Sequence, residues 1–361
     1  PSGGARSGLE LPRAQAAGEA MVGRGGGTVL VTGASSGIGF SVAAGLMRRG
    51  YTVVPAARTA AKAKQTADKL LAEVPGGRVE CLDGATCDLS SLASVQSFSD
   101  AYLQSGLPLD SLVECAGIAW CDELRSADGY ELQFATNHLG HFHLAGQLLP
   151  RLREAAAPRV VVVSSSAHYA GSCSPSALVR GDCGHPYNRW INYCDSKLCN
   201  VLFARELARR EAAANSPIVS CSVHPGIVNT NLIRYITPPS VMQAREADLQ
   251  GSLRAGKLLG LLTPEQGAEG TLWLATAAPE GVVPGGYYQG LAPPVLTVPS
   301  MPAKDDQLAS ALWAASEVLV ARALGVAAPV DSLALAEAYQ PAGTSASEPI
   351  LPGFLRMQMT N

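Results

Sequence analysis

The octapeptide Thr32-Gly33-Ala34-Ser35-Ser36-Gly37-Ile38-Gly39 follows the short apolar run Thr28–Thr32 and precedes a helical pattern, Ser41–Arg49, that Gly50 stops. A strand running into a glycine-rich turn and then a helix is the setting of a phosphate-binding loop. Glycine lets the backbone turn tightly and approach a pyrophosphate, and the helix N-terminus presents N–H donors and a partial positive charge. The spacing, G-x-x-x-G-x-G, predicts dinucleotide binding at the first strand-to-helix turn; the plainer alternative is a structural glycine turn.

Outward from this loop the chain alternates. Thr52–Ala57, Arg78–Leu82, Leu109–Cys115, Arg159–Ser164 and Ile218–His224 have the composition of strands, Arg159–Ser164 being nearly all valine as a strand buried on both faces would be. Ser90–Leu103, with Ser90 as N-cap and Leu92, Val95, Phe98 and Tyr102 near helical spacing, Asp128–Leu149 and Asn192–Arg210 are the helical stretches between them. The alternation predicts an α/β fold: a single doubly wound Rossmann-type domain with a mainly parallel central sheet and helices on both faces. Such sheets bind ligands beyond the carboxyl ends of their strands. The domain is placed at 28–325. Residues 231–262, which include Thr237-Pro238-Pro239 and the apolar patch Leu258–Leu262, are read as a substrate lid. Residues 1–27 are read as a flexible tail and 326–361 as a second tail or wrapping arm.

Composition narrows the function. With 27 Lys+Arg against 30 Asp+Glu, the net charge of −3 argues against a nucleic-acid footprint and a polybasic membrane anchor. The longest purely aliphatic run, Val160–Val163, is far short of a transmembrane segment. Nine cysteines, an odd number without a tight framework in a chain this long, favour a reducing compartment. Cys173, Cys183 and His185 are the candidates for zinc, but no CxxC pair supports them, and no metal is expected. Residues 1–27 are rich in Gly, Ala, Arg and Ser, with only Glu10 and Glu19 acidic. They read either as a plain tail or as the remnant of a plastid or mitochondrial targeting segment, with the cytoplasm as the alternative.

Two groups of residues carry chemistry. The second strand ends at Ala57-Arg58. An acidic residue there would accept from a ribose 2′-hydroxyl, whereas Arg58 suits a 2′-phosphate, so NADP(H) is expected over NAD(H). Asp88, with Asp83 as its rival, is placed to meet the adenine amine. Tyr193 and Lys197 stand at i and i+4 and share a helix face, where a cation favours phenolate and makes the tyrosine a usable acid or base. Ser164-Ser165-Ser166 ends the fifth strand, where a hydroxyl would hold a substrate carbonyl beside the phenol, and Asn137 would anchor a relay water. His138, His141 and His143 read as packing or surface residues. Tyr169, Tyr187, Trp190 and Tyr235 flank these positions as an apolar substrate wall or as ordinary packing.

Thr32–Gly39, Asp88, Ala116-Gly117, Asn137-His138-Leu139-Gly140-His141, Ser164-Ser165, Tyr193–Lys197 and His224-Pro225-Gly226, in this order, resemble the short-chain dehydrogenase/reductase family over roughly residues 28–325. The Asn137–His141 string and Tyr193–Val201 are most similar to its retinol dehydrogenase and protochlorophyllide reductase branch. The resemblance implies hydride transfer between a nicotinamide and a carbonyl or alcohol, here a hydrophobic one. It implies that Ser165 polarises the carbonyl, Tyr193 donates the proton, Lys197 lowers the tyrosine pKa and binds the nicotinamide ribose, and Asn137 supports the relay. Gly33, Ser35, Gly37 and Ile38 would line the phosphates and Arg58 would read the 2′-phosphate. Ala116 and Gly117 belong to the cofactor edge with Pro225 and Gly226, and Thr230 would touch the carboxamide end. Two departures stand out. Ile227 occupies the place where light-dependent protochlorophyllide reductases carry cysteine. Glu114-Cys115 replaces the family's Asn-Asn before Ala-Gly. The Glu114-Cys115 departure and the tails motivate one alternative, a weakly active or inactive cofactor-binding subunit of a larger complex, organellar or otherwise; the branch resemblance implies another, a light-dependent pigment reductase, against which Ile227 counts. Pairing into a homo-oligomer is a further expectation.

Overall fold

The structure is a computed structural model that describes residues 26–340 except positions 236, 238, 249, 250, 253, 255, 256, 258 and 259. Strands β1 (Thr28–Thr32), β2 (Thr52–Ala56), β3 (Arg78–Val79), β4 (Ser111–Glu114), β5 (Arg159–Val163), β6 (Val219–His224), β7 (Tyr287–Gln289) and β8 (Val295–Thr297) form one sheet, ordered β3-β2-β1-β4-β5-β6-β7-β8. Every pairing is parallel except β7 with β8. The chain leaves β1 towards β2 on one side and returns to β4 on the other, which opens a crevice at the carboxyl ends of β1 and β4.

Alternation along the central strands divides the core. Val29, Val31, Val53, Val113 and Val161 pack beneath α1 (Gly37–Arg48) and α9 (Pro264–Thr276), joined by Leu70 of α2 (Ala60–Glu73). Leu30, Val54, Leu112, Val160 and Val162 pack on the opposite face against α3 (Leu92–Gln104), α5 (Gly140–Arg153) and α7 (Arg189–Ala213). Apolar residues on both faces of these strands keep them between two helical layers. A third cluster joins α7 to α10 (Asp306–Leu324) through Leu198, Leu202, Leu308 and Leu312.

The elements differ from the sequence expectation in instructive places. The first helix begins at Gly37, inside the glycine loop, rather than at Ser41. β3 is only two residues long, and Ser91, not Ser90, caps α3, its hydroxyl accepting from Ser94 N. Ser90 is engaged instead by the Asp88 carboxylate. Asp128 precedes the long helix and accepts from Leu92 N; the helix itself comprises α4 (Leu132–Phe134), a π-helical turn at Ala135–Leu139 and α5. α7 starts at Arg189, capped by Asn188.

Smaller elements complete the described chain: α6 (Pro175–Arg180), α8 (Pro239–Ala247) and α11 (Ser332–Ala338). In the 326–361 segment, α11 lies on α10, with Ala336 buried beside Ala314, Ala315 and Val318. Residues 1–25 and 341–361, read as tail sequence, lie outside the described residues, as do Pro238, Leu258 and Leu259 of the lid segment. The base of that segment is closed by Leu262, which donates to Ile227 O and accepts from Asn229 N, each at 2.9 Å. Among the described residues no helix is long and apolar enough to cross a membrane.

Candidate active site

The glycine loop is tied to the end of β4 by one hydroxyl. Thr32 Oγ1 accepts from Cys115 N and Ala116 N, both at 3.0 Å, and lies 2.8 Å from His141 Nε2. Gly33 has φ +71°, and a Cβ there would stand 2.8 Å from Ala116 Cα, so only glycine fits. Ser36 caps α1 without a side-chain hydrogen bond to the first-turn amides, which leaves those donors to a ligand. Gly37 faces Thr230, whose Cγ2 would be 3.2 Å from an added Cβ. The loop thus lies against Ala116 on one side and the Thr230 side chain on the other, with its first-turn amides beside them. Arg58 lies exposed two residues beyond β2, the strand beside β1. Asp88 comes to the same edge, because Cys87 N donates to Ala57 O at 2.8 Å. Asp83 is exposed in a turn outside this edge.

On the other side of the crevice, α7 is fastened to the end of β5. Lys197 Nζ donates to Val163 O at 3.1 Å, Ser164 Oγ to Lys197 O at 2.7 Å, and Asn200 Nδ2 to Val163 O at 3.3 Å. Ser165 opens a 3-10 turn at Ser166–Ala170, its hydroxyl accepting from Ala167 N, and also hydrogen-bonds the Tyr193 phenol. Asn137, on the π-helical turn, is wholly buried rather than a helix-surface amide. It accepts from Ile118 N at 2.8 Å and donates to Ile118 O and Ser196 Oγ, both at 2.9 Å. A Cβ on Gly117 would lie 3.3 Å from Asn137 Oδ1 and 3.6 Å from Lys197 Nζ, so Asn137, Gly117 and Lys197 meet at one point.

The electrostatics of the cluster are set by burial. Lys197 Nζ stands 5.8 Å from the Tyr193 ring centroid and donates to Val163 O. Burial pushes the phenol above its ordinary value, against the pull of the Ser165 hydrogen bond. Burial also lowers Lys197 to about 8. His138, His141 and His143 are buried and pushed down to about 3, 4 and 4 by desolvation. His141 serves as a brace, its ring nitrogens meeting Thr32 Oγ1 and Asn137 O. Glu114 ends β4 with both carboxylate oxygens buried and without a hydrogen-bond partner among the described residues, and desolvation raises it to about 8. Of the zinc candidates, His185 is taken by Asp195 at 2.7 Å, while Cys173 and Cys183 border a small cavity beside α7.

Comparison with known proteins agrees with this geometry. The sequence model described as short chain dehydrogenase matches residues 27–177. Retinol dehydrogenase 14 of Mus musculus is 37% identical over 308 residues, covering 82% of this chain and 86% of its own. The chain belongs to the short-chain dehydrogenase/reductase family. Members bind a nicotinamide cofactor, and this chain is accordingly an oxidoreductase of the retinol dehydrogenase-like branch. A crystal structure of an uncharacterised protein from Mycobacterium paratuberculosis shares 34% identity, with a TM-score of 0.63 over 81% of this chain and 92% of that one. The RhlG/NADP active-site complex of Pseudomonas aeruginosa shares 27%, with a TM-score of 0.55 over 73% and 94%.

Within this dehydrogenase the aromatic wall differs from expectation. Trp190 does approach Tyr193, in a cluster with Ala119, Ala167, Ala170 and Leu232. Tyr187 does not line that cluster; its hydroxyl donates to Cys121 O and Asp122 O. Tyr169 is exposed and donates to Val298 O, and Tyr235 is exposed beside Arg234. The residue that sequence alone missed is Trp120, whose ring centroid lies 4.8 Å from Trp190 and 5.8 Å from Tyr193. Its one signal in the sequence is its place three residues after Gly117.

Proposed function

We propose that this chain is an NADP(H)-dependent oxidoreductase acting on a hydrophobic carbonyl or alcohol. The observation that carries the proposal is the meeting of Ser165, Tyr193, Lys197 and Asn137 across the crevice from the glycine cradle. When bound, the nicotinamide supplies or accepts the hydride. Ser165 Oγ donates a hydrogen bond to the substrate oxygen and fixes it beside Tyr193, whose phenol gives up its proton to that oxygen in reduction and recovers one in oxidation. Lys197, with Asn137 at its side, supplies the positive charge that steadies the phenolate while it is reprotonated. Gly33, Ser35, Gly37 and Ile38 hold the phosphates, Asp88 the adenine amine, and Ala116, Gly117, Pro225, Gly226 and Thr230 the remaining cofactor edge. Arg58 pairs with the 2′-phosphate. The Ala119–Leu232 cluster supports an apolar substrate, and residues 231–262 act as its lid.

A second reading, a cofactor-binding subunit with little turnover, draws on the unpartnered Glu114 at the cofactor edge. Purified protein offered NADPH or NADH with a panel of lipophilic aldehydes and ketones distinguishes the two. The proposal predicts NADPH oxidation, and an Arg58→Gln variant whose KM for NADPH rises about tenfold while that for NADH holds. Tight NADPH binding with no oxidation across the panel supports the second reading. Indifference of both coenzymes to Arg58 refutes the NADP assignment.

A further inference from the structure

Trp120 is the non-glycine residue nearest the catalytic cluster with a left-handed backbone, φ +60°. A bulky residue in that region is strained and stays there only when its surroundings hold it. They hold it at both ends. Trp120 N donates to Gln133 Oε1 at 2.7 Å, and Arg189 Nη1 donates to Trp120 O at 3.5 Å. The clamp is itself braced: Gln133 is fully buried and its amide donates to Arg189 O at 3.1 Å, while Arg189 Nη2 pairs with Asp122 at 2.6 Å. With the backbone so held, the indole lies against Trp190 and edge-on to Tyr193. Both tryptophans stay only partly buried, and the Trp120 N–H has no hydrogen-bond partner among the described residues. An indole N–H in finished packing usually finds one. The wall beside Tyr193 thus keeps one indole donor without a partner among the described residues and two rings with exposed area.

We propose that Trp120 and Trp190 are specificity-determining residues that select flat, ring-bearing carbonyl compounds over saturated ones of the same size. This rests on the carbonyl-site reading above and deepens it. Indole faces gain more from a flat π-surface than from a puckered aliphatic ring of equal area, by about three- to tenfold in equilibrium or rate. Gln133 and Arg189 are positioning residues: they touch Trp120's backbone, and Arg189 also sits at the head of the helix that carries Trp190.

The test uses 2-naphthaldehyde and its decahydro analogue as NADPH substrates of the full chain. The readout is the ratio of their kcat/KM values, so intrinsic reactivity cancels between variants. The ratio is expected to fall about three- to tenfold in Trp120→Leu and in Trp190→Leu, and to be retained in Trp120→Phe. An unchanged ratio in both leucine variants overturns the inference while leaving the carbonyl function in place. Should no carbonyl be reduced, the functional reading fails, and binding of the same two compounds to the NADPH-loaded wild-type chain, followed by calorimetry, still decides this inference. A Kd about three- to tenfold lower for 2-naphthaldehyde supports it, and equal affinity for both compounds overturns it. The same binding assay serves if the leucine variants do not fold.

Discussion

Glu114 shows how much one residue can matter at a sheet edge. A carboxyl with no partner in the interior is tolerated only as the neutral acid, and burial raises it from the ordinary 4.5 to about 8. The sign follows from linkage. The folded state keeps a proton that the unfolded chain loses above about pH 4.5, so the contribution is whole below that pH, shrinks as pH rises, and levels off above about pH 8. Glu114→Gln keeps the shape and removes the titration. Urea midpoints measured between about pH 5 and pH 8 are expected to fall less steeply for Glu114→Gln than for the wild type, with the variant the more stable near pH 8; parallel curves would contradict this. At this scale much of the site was legible. Tyr193 and Lys197 share a helix face by spacing alone, and the glycines announce a tight turn. Trp120 was not legible, because a left-handed backbone held by Gln133 and Arg189 leaves no trace in local pattern.

Between residue and fold, Asp195 ties the segment Gly171–Asn188 to α7 at two places. Asp195, inside the Tyr193–Lys197 turn, accepts from Ser172 N at 2.7 Å, Ser172 Oγ at 3.3 Å and His185 Nε2 at 2.7 Å. Burial pushes that carboxyl up while its donors pull it down, and three donors on one carboxylate favour the ionised form. The hydrogen bond to Asp195 raises His185 from 6.5 to about 9. Its contribution is therefore fully present below about pH 6.5 and is lost as pH rises through about 9. His185→Gln is expected to cost about 1 kcal/mol at neutral pH, discounted for partial exposure, and nothing measurable above about pH 9. Chemical denaturation at the two pH values checks this, and an equal cost at both would sink it. Element boundaries were less legible than the elements. Ser90 and Ser91 are both competent caps, and only the Asp88 carboxylate, by taking Ser90, decides between them. β7 and β8, three residues each among Gly and Pro, are too short to leave a periodic signal.

Across the whole molecule, the sequence motifs lie far apart in the chain and the sheet order gathers them. β1 delivers the glycine loop, β4 Ala116-Gly117, β5 Ser165, and α7 Tyr193 with Lys197, all at one crevice beside the reversal between β1 and β4. That convergence was predictable, because alternating strands and helices admit few right-handed connections. The packing of α11 on α10 was not, since its small residues, Ala336 above all, carry no amphipathic signal strong enough to separate a docked helix from a tail. The central claim is that this convergence is a proton-donating site. Its most direct test is single-turnover oxidation of bound NADPH by a lipophilic aldehyde, comparing the wild type with Tyr193→Phe. The site as described predicts an intact NADPH complex in both proteins and a rate about 10²–10⁴-fold lower in the variant. A Tyr193→Phe protein that oxidises NADPH at the wild-type rate would contradict it.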